Sequence, residues 1–159
     1  MALEKWVVTT KGFVRADYAY WVGKYMDKFY DALAQQKVVA DKCPKCGKVF
    51  VPPRKVCGEC FATVPLDDDS CWVELPPRGT LVNFTATSMT VTENRTRKKS
   101  ALVGMVKLEG ADTALVYPVL GAKESDLSLG ARVEIQWNTK VKGQPADIRG
   151  FRLVDGGEA

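Results

Sequence analysis

The pattern of apolar and polar positions divides the chain into a helical stretch, a short irregular middle and a long run of strands. From Asp17, a candidate N-cap, Tyr18, Val22, Tyr25, Phe29 and Leu33 recur at helical spacing to about Gln36. Trp21, Met26, Tyr30 and Ala32 widen this stripe to about half of the circumference, more than the roughly 100° a surface helix needs to dock on one core. Lys24, Asp27, Lys28, Asp31 and Gln35 take the other side. A single helix from Asp17, or two short helices broken near Gly23, fits the pattern. Part of the aromatic surface is expected to meet a second polypeptide, because a small neighbouring unit cannot cover it. Residues 1–16, with weak strand character at Trp6-Val7-Val8, read as an extended, partner-dependent arm.

After the composition shift at Val64-Pro65-Leu66-Asp67-Asp68-Asp69-Ser70, the period changes from helical to alternating. Trp72-Val73-Glu74-Leu75, Gly79 to Thr87, Ser100 to Leu108, Ala114 to Leu120, Ala131 to Trp137 and Ile148 to Val154 read as strands. The breaker Pro76-Pro77, the turn Glu109-Gly110-Ala111-Asp112 and the connection Asp126 to Gly130 separate them. About five strands in 85 residues predict a small Greek-key barrel of the OB type, with an open five-strand sandwich as the alternative. Trp72, Phe84, Trp137 and Phe151 are expected to fill it. The fold class is therefore α+β. The expected units are an N-terminal arm and aromatic helix (1–37), a metal ribbon (38–66) and an OB-like barrel with a frayed tail (67–159).

The ribbon rests on cysteine spacing. Cys43-Pro44-Lys45-Cys46-Gly47 is followed, after ten residues counted from Cys46, by Cys57-Gly58-Glu59-Cys60. Two such knuckles bring four thiolates to the corners of a tetrahedron, the closed geometry of a structural Zn²⁺. Gly47 and Gly58 supply backbone freedom where the chain bends to aim its sulfurs. Val49-Phe50-Val51 can pair as a short strand before Pro52-Pro53 ends it. A redox dithiol normally comes as one pair in a strand-to-helix setting, which this frame lacks.

Composition narrows the function. The chain has no histidine, so Ser/His and Cys/His nucleophile pairs cannot be built. The fifth cysteine, Cys71, has no base beside it in sequence and reads as a buried small hydrophobe. No apolar run is long enough to cross a bilayer and Met1 to Trp6 lacks a signal pattern, so a cytoplasmic chain without membrane contact is expected. Four positive charges, Arg95, Arg97, Lys98 and Lys99, crowd one predicted loop. They read as a solvated loop or as a site for phosphates or an acidic partner. Ribbons and OB barrels also occur in nucleic-acid-binding modules, the rival function. A net charge of +4 and the lack of an aromatic stripe interleaved with basic residues argue against that rival.

Phe29-Tyr30-Asp31-Ala32-Leu33, the double knuckle, Val51-Pro52-Pro53-Arg54, Arg78-Gly79-Thr80-Leu81 and Asp126 to Val133 together resemble the zinc-ribbon plus OB-fold family of small acyl-CoA-associated proteins that accompany thiolases. The resemblance covers about residues 18–153. It implies a non-catalytic accessory subunit with one structural Zn²⁺ on Cys43, Cys46, Cys57 and Cys60. Its partner would be a thiolase-fold catalytic subunit that cleaves a 3-oxoacyl-CoA, with an aromatic ester such as benzoylsuccinyl-CoA among the candidates. Arg95, Arg97, Lys98 and Lys99 would then be candidate contacts for CoA or the partner. Arg54 is expected to make a ribbon-to-helix salt bridge.

Overall fold

The structure is a computed structural model that describes residues 12, 16–87, 90–91, 97–98 and 101–154. The expected strand at Trp6-Val7-Val8 and the tail 155–159 lie outside the described residues.

Helix α1 spans Lys24–Leu33 and turns Phe29, Ala32 and Leu33 inward. It does not reach back to Asp17. Gly23 adopts φ 87°, a left-handed conformation that a helix cannot carry through, so the periodic stripe continues past the point where the helix stops. Residues 16–23 are irregular, and Tyr18, Tyr20 and Trp21 are 79, 73 and 74 % exposed. Trp21 is tied back to the first turn by its indole N–H, which donates to Asp27 Oδ2 at 3.2 Å.

Strands β1 (Val38–Lys42), β2 (Val49–Phe50) and β3 (Trp72–Leu75) form a three-stranded antiparallel sheet in the order β2-β1-β3. Trp72–Leu75, expected in the barrel, instead runs along β1 from Val38↔Leu75 to Asp41↔Trp72. The anchor is Trp72, whose ring stacks on Tyr25 at 5.9 Å beneath the Lys28 ammonium at 4.2 Å while its indole N–H donates to Leu66 O at 3.1 Å. A half-polar tryptophan needs such a setting, with an apolar face covered and its N–H paired.

The second sheet takes β4 (Arg78–Ala86), β7 (Leu102–Leu108), β8 (Ala114–Pro118), β9 (Arg132–Trp137) and β10 (Ile148–Leu153), in the order β10-β9-β4-β7-β8. The hairpin β5 (Thr90–Val91) with β6 (Arg97–Lys98) stands between β4 and β7 in the chain. Long β4 pairs with β9 at its start and with β7 along its length, bending at a bulge between Leu81 and Asn83. The curled sheet brings its two edges together at one parallel bridge, Val119 to Phe151, with the Leu120 N–H donating to Phe151 O at 2.7 Å. Gly150 permits that approach, since a Cβ there would lie 2.4 Å from Pro118 O. The ladder does not continue along the rest of β8, so the sheet is OB-like in order and curl without a continuous seam.

One apolar cluster runs from Phe29 and Leu33 through Val38, Ala40, Val49 and Val51 to Leu81, Val106, Leu115, Val133, Ile135 and Phe151. Helix, ribbon sheet and curled sheet thus share a core, and the inner face of α1 is covered by its own chain. Of the four aromatics expected to fill the barrel only Phe151 is fully buried. Trp72 belongs to the ribbon sheet, while Phe84 and Trp137 are partly exposed.

Candidate metal centre

Each knuckle is a tight turn closed by backbone hydrogen bonds. In the first, the Cys43 N–H donates to Lys48 O at 2.8 Å and the Gly47 N–H to Cys43 O at 2.9 Å. The second repeats the pattern, with the Cys57 N–H on Ala62 O at 2.9 Å and the Phe61 N–H on Cys57 O at 3.1 Å. Gly47 takes φ 75°, as expected of it. At the equivalent place in the second knuckle it is Phe61, at φ 56°, and not Gly58 that takes the left-handed conformation. That conformation costs a non-glycine residue roughly 1–2 kcal/mol, and Phe61 holds it with its ring 80 % exposed.

The turns bring Cys43, Cys46, Cys57 and Cys60 together, with all four sulfurs within 4.8 Å of one another. Cys43 Sγ lies 3.5 Å from Cys60 Sγ, and Cys46 Sγ the same distance from Cys57 Sγ. A ZnS₄ tetrahedron with bonds of ~2.3 Å has edges of roughly 3.8 Å, so the cluster closes around Zn²⁺ after shifts of a few tenths of an ångström to an ångström. The unequal pull of the surroundings on the four thiols fits the same donor set. Backbone N–H groups, Cys46's foremost, draw Cys43 down to about 6 against the cost of burial. The Lys48 N–H works the same way on Cys46, but burial and the three neighbouring thiols outweigh it and push Cys46 up to about 12. Four crowded sulfurs that cannot all ionise alone are matched by one divalent cation. None of the four is in a disulfide. With every corner a cysteine, the centre has no open position for substrate and is structural.

The segment between the knuckles is pinned on both sides. On one side Asp112 and Thr113, from the β7–β8 turn, stand in for a neighbouring strand. The Val49 N–H donates to Asp112 Oδ2 at 2.9 Å, the Asp112 N–H to Val49 O at 2.8 Å, and Lys48 Nζ pairs with Asp112 Oδ1 at 3.1 Å. Thr113 Oγ1 accepts from the Val51 N–H at 2.8 Å and donates to Val51 O at 2.9 Å. The Val49 N–H, foremost, and Lys48 hold the Asp112 carboxyl below the usual carboxylate range. On the other side Asp41, fully buried in β1, accepts the Arg54 N–H on Oδ1 at 2.9 Å. Its Oδ2 has no partner among the described residues, and burial pushes its pKa up. Among the described residues the Arg54 side chain makes no ribbon-to-helix ion pair; its guanidinium lies 4.5 Å over the Phe50 ring. Asp41, Asp112 and Thr113 escaped the sequence reading, because each acts on a residue 13 or more positions away.

Of the basic loop, Arg95 and Lys99 lie outside the described residues, while Arg97 and Lys98 form β6. Cys71 is buried at 3 % exposure with its thiol 3.8 Å from Asp68 Oδ2, apart from the four-sulfur cluster.

Ribbon, sulfur cluster and curled antiparallel sheet together define a zinc-ribbon plus OB-like architecture. Within it, residues 31–65 match the family model described as the ChsH2 rubredoxin-like zinc ribbon domain. Among the solved structures that share the fold are the following two. One is a protein of unknown function from the DUF35 family of Sulfolobus solfataricus, 21 % identical, with 83 % of each chain covered and a TM-score of 0.56. The other, described as Ltp2-ChsH2(DUF35) aldolase, is 20 % identical over 85 % of this chain and 98 % of that one, with a TM-score of 0.60. No curated protein matches by sequence. Among the described residues no helix is long and apolar enough to cross a membrane.

Proposed function

We propose that this chain is a zinc-containing, non-catalytic accessory subunit of a hetero-oligomeric acyl-CoA-processing enzyme, and that its partner is a thiolase-fold subunit that cleaves a 3-oxoacyl-CoA. The observation that carries the reading is a ribbon of the ChsH2 kind on a fold shared with a neighbour described as a complex of ChsH2 with a second protein. Two features support it. A chain without histidine has no imidazole to activate a nucleophile, and a site closed by four sulfurs leaves no open metal position, which supports placing the chemistry on the partner. Tyr18, Tyr20, Trp21 and Phe61 are 73 to 80 % exposed, and large aromatics are enriched where proteins meet.

The substrate in this reading is an aromatic 3-oxoacyl-CoA such as benzoylsuccinyl-CoA. Arg95, Arg97, Lys98 and Lys99 meet either the phosphates of CoA or an acidic patch of the partner. Reversing the charge at Arg95 and Arg97 separates these from a plain solvated loop, since only a contact role lowers CoA affinity or complex yield. A second reading, favoured by the neighbour's description, gives the partner aldolase chemistry in place of thiolysis. Purification of the chain from native extract, with mass-spectrometric identification of what travels with it and assays of CoA-dependent thiolysis and of aldol cleavage, decides among them. A zinc-loaded chain that purifies alone, or turns over acyl-CoA unaided, overturns the proposal.

A further inference from the structure

We propose that the free edge of β8 receives an extended segment of the partner polypeptide as an added strand, and that this segment places a carboxylate against Arg149. The inference rests on the accessory-subunit reading and names the surface that reading needs.

β8 is the outermost strand of its sheet, bonded to β7 on one side. The Val119 N–H donates to Leu102 O at 2.9 Å, which sets the phase of the ladder. Counting back through the antiparallel register, Tyr117 and Leu115 aim their backbone groups at β7, and Val116, opposite Met105, aims its N–H and C=O outward. Near Pro118 the edge is covered by the approach of Gly150. From Ala114 to Val116 it opens instead onto a groove of about 730 Å³, whose far wall is formed by Pro145, Ala146, Ile148 and Arg149. Tyr117 spans to that wall, its hydroxyl donating to Pro145 O at 3.0 Å. An open sheet edge of this kind is the template for strand addition by an extended peptide.

Charge specifies the occupant. Arg149 is the one charged residue of the groove lining, it sits at the irregularity between Ile148 and Gly150 in the β9–β10 ladder, and it makes no ion pair among the described residues. The nearest acid in sequence, Asp147, is unable to serve it. Its buried carboxylate accepts the N–H groups of Lys142, Gly143 and Gln144 at 2.7 to 3.0 Å. A second copy of this chain on the same edge would bring a second Arg149 into the same groove, like charge toward like. A different polypeptide with an acidic side chain, its ladder groups matched to Val116 and its apolar positions laid on Pro52 and Val116, meets every group left open.

The test uses the complex purified with its catalytic subunit. Amide hydrogen exchange at Val116 is expected to slow at least tenfold on assembly. Arg149→Glu is expected to weaken association at least tenfold, with Arg149→Lys restoring part of it. Val116→Pro, which removes an outward N–H and leaves the bonds from Leu115 and Tyr117 to β7 in place, is expected to act like Arg149→Glu, with the melting of each free variant as the control for folding. A complex that assembles with wild-type affinity in Arg149→Glu, with unchanged exchange at Val116, overturns the edge proposal and leaves the accessory-subunit reading standing. Failure of the wild-type chain to form any complex overturns both.

Discussion

Replacing Asp112 by alanine removes one side of the brace that ties the ribbon to the curled sheet. Two interactions go. The Lys48–Asp112 pair joins side chains 45 and 34 % exposed, and such a pair contributes about 0–1 kcal/mol. The Val49 N–H, on a residue only 9 % exposed, loses its acceptor at 2.9 Å. A buried donor left unpaired costs about 1–3 kcal/mol. The expected loss is therefore about 2 kcal/mol, dominated by the backbone donor, and for a chain of this length each kcal/mol lowers the melting midpoint by roughly 2–4 °C. Asp112→Ala should melt about 4–8 °C below wild type in the zinc-loaded form, by calorimetry at pH 7, while Asp112→Asn, which keeps an acceptor for Val49, should recover most of the difference. The pH dependence has a definite sign. The folded carboxyl titrates below its unfolded value, so the part of its contribution that comes from the charge is present above about pH 4 and is lost as pH falls through the lower folded pKa. The gap between wild type and Asp112→Ala should stay constant from pH 7 to 5 and narrow in stronger acid without closing, because the protonated carboxyl still offers the Val49 N–H an acceptor. A midpoint within 1 °C of wild type, or a gap that widens on acidification, refutes the brace.

Asp41→Ala should lower the midpoint and hasten zinc release to a chromophoric chelator, because the Arg54 N–H loses its acceptor. Asp41→Asn, which keeps an acceptor for the Arg54 N–H but places an amide donor where Oδ2 has no partner, should recover only part of the loss in the same assay. Stripping the metal should expose the knuckles and spare the main core, since Cys43, Phe50 and Cys57 form a cluster separate from the one that contains Leu81, Val106 and Val133. Hydrogen exchange after chelation should rise tenfold or more at residues 43–47 and 57–62 and little in β4, β7 and β9; uniform acceleration would contradict this. Cys71→Ala should keep one zinc per chain by elemental analysis, whereas Cys57→Ser should abolish stoichiometric zinc.

The parts of the fold that sequence made legible are those whose chemistry is local. Two Cys-x-x-Cys knuckles carry their own turns, and alternation along β4, β7, β9 and β10 marks a buried face whatever the partner strand. Periodicity failed where its cause and its effect separated. Tyr18 and Trp21 continue the helical stripe, yet the left-handed Gly23 ends the helix before them. Trp72–Leu75 alternates like a barrel strand, but alternation does not say which strand lies alongside, and the stacking of Trp72 on Tyr25 assigned it to the ribbon. In the second knuckle Gly58 was the obvious hinge, and the fold put the left-handed turn on Phe61 because the turn's own hydrogen bond closes four residues after Cys57. The braces through Asp112 and Thr113 join residues more than 60 positions apart and leave no trace in spacing.

Native mass spectrometry of the assembly isolated from its source cells distinguishes an accessory subunit from a free-standing protein. This chain is expected to carry one zinc ion inside a larger particle that contains a second, catalytic polypeptide. A metal-free chain, or a zinc-loaded one found solely by itself or with copies of itself, would contradict that expectation.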